Sequence, residues 1–184
     1  MSVTESTKAF APAGTWAADP VHSNVSFEVR YSGVNNFRGG FTDFQAVLAG
    51  GEAATLEGTA KVASVDVKDE QLNGHLQTPD FFDAARYPEI AFRATSLERL
   101  DGDRIEGSGE LTIKGVTQPV KLSGTLSEPA TDPFGRERLG LQLETSIDRT
   151  QYGVSWNAPN QSGGDYLAND VKLIAELAFV RQEG

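Results

Sequence analysis

From Asp103 to Leu126 the chain reads DRIEGSGELTIKGVTQPVKLSGTL, and this stretch decides the fold class. Ile105, Gly107, Gly109, Leu111 and Ile113 alternate with Glu106, Ser108, Glu110, Thr112 and Lys114. After a Gly115–Pro119 turn, Val120, Leu122, Gly124 and Leu126 alternate with Lys121, Ser123 and Thr125. A period of two belongs to antiparallel strands with one dry and one wet face. The dry face carries glycine where a packed core would carry bulk. Small inward residues on long strands point to a sheet closed around a space that suits a ligand. Glycine also serves to bend barrel strands. Yet Gly58, Ala60, Gly107, Gly109, Gly124 and Ala175 all fall on dry sides. Bending alone does not demand so many, so a cavity is expected.

Working outward, Val25, Phe27, Val29 and Tyr31 form one alternating set, and Phe44, Ala46 and Leu48 a second. Leu56, Gly58, Ala60 and Val62 form a third, whose parity shifts near Ser64 towards Val65 and Val67. A one-residue shift flips every side chain, so a bulge or bend belongs there. Ile90, Phe92 and Ala94 give the fourth strand, and the quoted stretch gives the fifth and sixth. The seventh runs from Leu139 to Ile147 and the last from Val171 to Phe179. Eight strands in mostly meander order predict an all-β, closed antiparallel lipocalin-like barrel, a size that holds one small ligand. Between the third and fourth strands the alternation fails. There Asp80–Tyr87 reads as a short helix, with Thr78 as cap, Pro79 in the first turn and Pro88 as stop. Residues 1–13, small and polar, read as a flexible tail, and residues 14–184 as the single barrel domain.

The 26 acidic residues outnumber the 16 basic ones, for a formal charge of −10, which argues against nucleic acid and anionic membrane surfaces as partners. There is no Cys, hence no disulfide framework and no thiolate chemistry. The first residues lack a charged segment followed by an apolar one, and no apolar run is long enough to span a bilayer. A cytoplasmic location is the expectation. His22 and His75 are the only histidines, and neither sits in a metal-ligand or zincin spacing. His75 near Asp69, Asp80 and Asp83 suits a cation less well than it suits a surface of helix-capping acids. Neither a metal nor a cofactor is expected. Gly153-Val-Ser-Trp-Asn157 lacks the last glycine of a nucleophile elbow.

The aromatic residues carry more information. Phe27, Tyr31, Phe41, Phe44, Phe92 and Phe179 fall on dry faces, while Tyr152, Trp156 and Tyr166 flank a loop rich in Gly, Asn and Pro. Ligand pockets are mostly apolar with a few orienting polar groups. Core filling accounts for aromatics in the same places. Phe81 and Phe82 are adjacent and cannot share a direction. Either one plugs the barrel while the other faces its mouth, or both seal the core.

The motifs Asp19-x-x-His22-Ser23-x-Val25-x-Phe27, Gly40-Phe41-x-x-Phe44 and His75-Leu76 precede Pro79-Asp80-Phe81-Phe82-Asp83…Tyr87-Pro88-x-Ile90-x-Phe92. They are followed by Gly109-x-Leu111-Thr112-Ile113-x-Gly115-Val116-Thr117-x-Pro119-Val120 and Tyr152-Gly153-Val154-x-Trp156-Asn157. Taken in this order, from about Trp16 to Val180, they resemble the YceI-like family of lipocalin-like, polyisoprenoid-binding proteins. The resemblance implies a barrel with a long apolar tunnel that holds the tail of an isoprenoid quinone, prenyl phosphate or similar amphiphile. It also implies that a homodimer is possible. Tyr31 stands where the family pattern commonly has His, which points to a different head-group contact.

The leading expectation is therefore non-catalytic carriage or sequestration of a polyisoprenoid or other long apolar molecule. The candidate ligand-binding residues are Phe27, Val29, Tyr31, Phe41, Phe44, Phe81, Phe82, Phe92, Gly109, Leu111, Ile113 and Trp156. His22, His75 and Asn157 are the candidates for the head group at the mouth. Two alternatives stay open: an isomerase or dehydratase acting on a hydrophobic substrate in the same cavity, and a protein-interaction module.

Overall fold

Alternating residues become strands almost wherever they occur in the computed structural model, which describes residues 9–183. The strands are β1 (Ala11–Ala18), β2 (Asn24–Tyr31), β3 (Asn35–Phe41), β4 (Phe44–Gly51), β5 (Thr55–Lys61) and β6 (Val65–Asp66). They continue as β7 (Glu89–Arg99), β8 (Arg104–Ile113), β9 (Val116–Leu126), β10 (Ala130–Thr131), β11 (Glu137–Asp148) and β12 (Leu167–Arg181). One α-helix, α1, spans Glu70–Leu76.

The neighbours run β11-β9-β8-β7-β5-β4-β1-β12, and β12 pairs again with β11. This closes an antiparallel barrel of eight strands. The 15-residue β12 is long enough to serve two partners on its other edge. Its Leu167–Glu176 segment pairs with β2, and Phe179–Arg181 pairs with β1. The β2-β3 hairpin thereby extends the wall beyond the circuit. The quoted stretch folds as the β8-β9 hairpin, with Ile113 opposite Val116. Its turn is shorter than expected. Only Lys114 and Gly115 lie outside the strands, with φ of 52° and 76°, the paired positive values of a two-residue hairpin turn. Val116–Pro119 is already strand.

Two expectations are corrected, and one strand, β3, was not anticipated. The tail does not reach residue 13: Ala11–Ala13 open β1, which completes the barrel, and Phe10 and Ala11 are buried. Residues 1–8 and Gly184 lie outside the described residues. Small residues hid this strand, because it approaches its neighbour too closely for side chains. A Cβ on Gly50 would lie 1.9 Å from the Pro12 carbonyl. Polar and glycine-rich β3 was hidden for a related reason. A Cβ on Gly39 would lie 2.4 Å from the ring of Phe27, which occupies the space instead. The helix, finally, is Glu70–Leu76 and not Asp80–Tyr87. Asp69 caps it by accepting a hydrogen bond from the Leu72 amide at 2.9 Å. Asp83, at φ 51°, turns the 77–88 segment into successive tight turns instead. The parity shift near Ser64 is a 3₁₀ turn, Val62–Ser64, that bends the chain into β6.

The interior divides along the barrel axis. Trp16, Leu48, Ile105, Leu126, Leu139, Leu141 and Phe179 are each at most 2 % exposed and pack solidly where β11 begins and β12 ends. The other half, where β11 ends and β12 begins, is hollow.

Candidate functional site

The hollow half is a cavity of about 680 Å³, inside the range of small-molecule sites, roughly 300–1,000 Å³. Each element contributes its dry face. Val25, Phe27, Val29 and Tyr31 come from β2, Phe37 and Phe41 from β3, and Phe44 and Ala46 from β4. Gly58 and Ala60 of β5, Ile90 and Phe92 of β7, and Leu111 and Ile113 of β8 continue the wall. Val120 and Leu122 of β9, Leu143 and Ile147 of β11, and Val171, Leu173 and Ala175 of β12 complete it. Across the end lie α1, with Leu72, His75 and Leu76, and the turns that carry Phe81 and Phe82.

Aromatic rings line the way in. Tyr31 and Tyr166 stand 6.2 Å apart, Tyr166 and Trp156 6.3 Å, and Trp156 and Phe81 5.4 Å. The His75 ring meets Phe81 edge-on at 5.0 Å and Trp156 at 5.2 Å. Exposure falls along this row from 41 % at Tyr166 to 5 % at Phe81. Edge-to-face rings at such spacings hold one another by quadrupole attraction beyond simple burial. The Lys114 ammonium closes the same end, donating to the carbonyls of Pro79 at 2.7 Å and Gly153 at 3.1 Å.

Twelve of the candidates named from the sequence line the cavity: Phe27, Val29, Tyr31, Phe41, Phe44, Phe81, Phe82, Phe92, Leu111, Ile113, Trp156 and His75. Phe81 is buried against His75 and Trp156, whereas half-buried Phe82 packs on Phe41 at 5.9 Å. Three candidates are elsewhere. Gly109 is roofed over: a Cβ there would lie 2.5 Å from the Phe92 ring and 2.8 Å from the Arg93 carbonyl. Gly124 is likewise covered, by the Gln142 carbonyl at 1.7 Å from its Cβ position. These glycines let strands bend and backbones approach, the role weighed against the cavity. Of the small dry-face residues, Gly58, Ala60 and Ala175 do line the cavity.

His22 lies at the solid end, its side chain 64 % exposed and its Nδ1 2.7 Å from Asp19. It therefore cannot meet a head group at the mouth. Asn157 is a loop clamp. Its Nδ2 donates to the Leu167 carbonyl at 2.7 Å, and its Oδ1 accepts from the Leu167 amide at 2.9 Å. His75 bonds Asp80 at 3.0 Å through Nε2. Asp69 is engaged as the helix cap and Asp83 in its turn. Among the described residues, no group of three His, Cys, Asp or Glu side chains could hold a metal ion, and no helix is long and apolar enough to cross a membrane.

Two polar residues of the cavity wall, Arg149 and Tyr152, are not among the candidates named from the sequence, although Tyr152 stands out there as an aromatic beside the loop. Arg149, 5 % exposed, donates to the carbonyls of Ala168 and Val154 at 2.8 Å, Trp156 at 2.9 Å and Leu167 at 3.5 Å. It stitches the loop after β11 to the start of β12. Burial pulls its pKa down, opposed by Asp148 and Asp165. Tyr152 is 1 % exposed, and its hydroxyl has no hydrogen-bond partner among the described residues. Burial raises its pKa. Both sit on the 3₁₀ turn Arg149–Tyr152, where strand alternation has ended and no periodicity marks which side chains turn inward.

The YceI-like domain model matches residues 16–179. The chain belongs to the YceI-like family. It is 32 % identical to protein YceI of Escherichia coli O157:H7 over 166 residues, covering 88 % of this chain and 83 % of that protein. The crystal structure of the YceI protein of Campylobacter jejuni matches with a TM-score of 0.70 at 27 % identity, covering 82 % of this chain and 88 % of that one. A polyisoprenoid-binding domain from Saccharophagus degradans has the same fold, with a TM-score of 0.70 at 13 % identity over 91 % of this chain and 98 % of that one.

Proposed function

We propose that the hollow half of the barrel binds and carries, or sequesters, a polyisoprenoid or similar long apolar chain without catalysis. The observation that carries this reading is the cavity itself: about 680 Å³, walled by aliphatic and aromatic side chains and entered past a row of rings. A chain threaded past Tyr166 and Trp156 would lie along Phe81, Phe92, Leu111 and Ala175. Each CH₂ taken out of water is worth about 0.8 kcal/mol, so a chain of prenyl units gains more than its ordering costs. The likeness in fold to the Saccharophagus degradans domain supports an isoprenoid as the class of ligand.

The experiment is native mass spectrometry of the purified protein, followed by titration with a fluorescent long-chain probe. An apolar mass released on denaturation, and competed by the probe, is the expected result. Ala175→Phe, which fills the lumen from β12, should keep the barrel folded and weaken probe binding by at least tenfold. A wild-type protein that takes up no chain, or a folded Ala175→Phe that binds as wild type, would overturn the reading.

A further inference from the structure

The barrel wall is not paired all the way round. β9 and β11 pair only from Ser123–Glu144 to Leu126–Leu141. Beyond that, Gln118–Leu122 and Thr145–Asp148 diverge. Between them lies a second cleft of about 410 Å³, with Gln118, Lys121, Ser146, Asp148 and Gln151 among its lining residues. Pro119 sits on this unpaired stretch of β9, where its missing N–H leaves no edge donor to satisfy. The turn Arg149–Tyr152 fills the gap, tied across it by Gln118 Nε2 donating to the Gln151 carbonyl at 3.4 Å.

Tyr152 lines both the apolar cavity and the polar cleft, so one side chain stands between them. Its hydroxyl is buried and unpartnered, a state that native proteins seldom leave without compensation. Arg149 lines the same cavity, and Asp148 and Asp165 act on its charge through space. Its four carbonyl bonds leave one of the five guanidinium N–H groups over. Two donors of this turn are therefore left unspent, the Tyr152 hydroxyl and one guanidinium N–H, while Asp148 and Asp165 offset the guanidinium charge.

We propose that Tyr152 and Arg149 form the polar subsite of the chain-binding cavity, taking a ligand whose head group ends in an oxygen acceptor. The Tyr152 hydroxyl donates to a carbonyl or carboxylate oxygen, and the spare guanidinium N–H offers a second donor to the same end. The head group is then read at the side of the barrel and not at the ring-lined mouth. This inference rests on the reading of the cavity as a chain site.

The test compares three competitors of equal chain length against a fluorescent chain probe: hexadecane, a sixteen-carbon methyl ketone and hexadecanoate. It uses the wild-type chain and Tyr152→Phe, which removes only the hydroxyl. The ketone and carboxylate should each lose about three- to tenfold relative to hexadecane in the variant, the worth of one hydrogen bond. A ¹³C-labelled ketone should show its carbonyl stretch at higher frequency in the variant, because the bond to the hydroxyl is gone. The melting temperature should hold or rise, since an unpaired buried polar group has been removed. If wild type binds hexadecane and the ketone, yet Tyr152→Phe changes neither their ratio nor the stretch, the subsite falls and chain binding stands. If wild type binds none of the three, the chain-binding reading fails and takes the subsite with it.

Discussion

The two halves of the barrel use the same strands for opposite ends. Where β11 begins, Trp16, Leu139, Leu141 and Phe179 fill the lumen, and an ionic cluster of Asp19, Asp132 and Arg138 seals the outside. Where β11 ends, the strands continue with comparable hydrophobicity but leave a space, covered by one short helix and a set of turns. The difference does not lie in how apolar the sequence is. It lies in what lies across from each strand: large side chains facing one another in the first half, and aromatic rings held back against the wall in the second. Phe27 folds over Gly39 and Phe92 over Gly109, so glycine in one strand parks a ring from the next and keeps the lumen open.

The largest effect should come from the solid half. Trp16 is fully buried, donates to the Pro12 carbonyl at 3.1 Å and has the Arg181 guanidinium 5.7 Å from its ring centre. Trp16→Ala should lose about 3–5 kcal/mol in urea denaturation, while the folded fraction binds a chain probe as before. Gly109→Leu should also fall in this class, although Gly109 belongs to the hollow half. Its side chain would have to displace the Phe92 ring, so stability should drop by at least about 1–3 kcal/mol. A stable Gly109→Leu would show that the ring can leave its place against the strand.

A smaller and different response is expected at the hollow end. Phe81→Ala removes a ring packed on one side by His75 and Trp156 and on the other by the cavity. A side chain that already lacks neighbours on one face has fewer contacts to lose. The expected loss is about 2 kcal/mol, below the Trp16 figure, with at least tenfold weaker chain binding. Half-buried Phe82 should lose less stability than Phe81, about 1 kcal/mol, and change mainly the release rate. Thermal melts and dissociation rates on both variants check this. Equal stability losses without any change in binding would make the two rings core plugs and erase the contrast between the halves.

The outline of the barrel was legible because period-two alternation reports a face directly, and seven of its eight circuit strands carry it. The eighth, β1, has one large anchor, Trp16, among small residues, so its burial comes from backbone proximity and not from side-chain pattern. Most of the cavity wall was legible by the same logic, since inward aromatics on strands must meet the lumen. The glycines misled, because a missing side chain looks the same in sequence whether it opens a cavity or admits a neighbouring ring. His22 and Asn157 were placed by motif and proximity in sequence, yet His22 follows β1 to the opposite end. Arg149 could not be read at all, and Tyr152 only as an aromatic beside the loop, without a place in the cavity wall. Both follow the last residue of a strand, where a 3₁₀ turn ends the alternation and turns Tyr152, which has the outward parity of β11, towards the lumen.

The smallest effect separates the halves by pH. Asp19 accepts hydrogen bonds from His22 at 2.7 Å and Arg138 at 3.1 Å, and these hold its pKa at about 2 instead of 3.8. Arg138 also donates to Asp132 at 2.8 Å, which holds that carboxyl well below the usual range. A carboxyl whose folded pKa is depressed stabilises the fold at pH values above its unfolded pKa. That contribution is lost as pH falls from about 4 towards 2. Asp19→Asn should therefore be less stable than wild type by about 1 kcal/mol at pH 5, in the range of partly exposed ion pairs. The gap should shrink towards zero near pH 2. Urea midpoints for the two proteins at pH 5, 4, 3 and 2.5 give the comparison directly. Chain affinity at pH 5 should be the same in both, because Asp19 lies beyond the solid core from the cavity. A gap that stays constant across this range would mean that Asp19 acts through hydrogen-bond geometry and not through its charge.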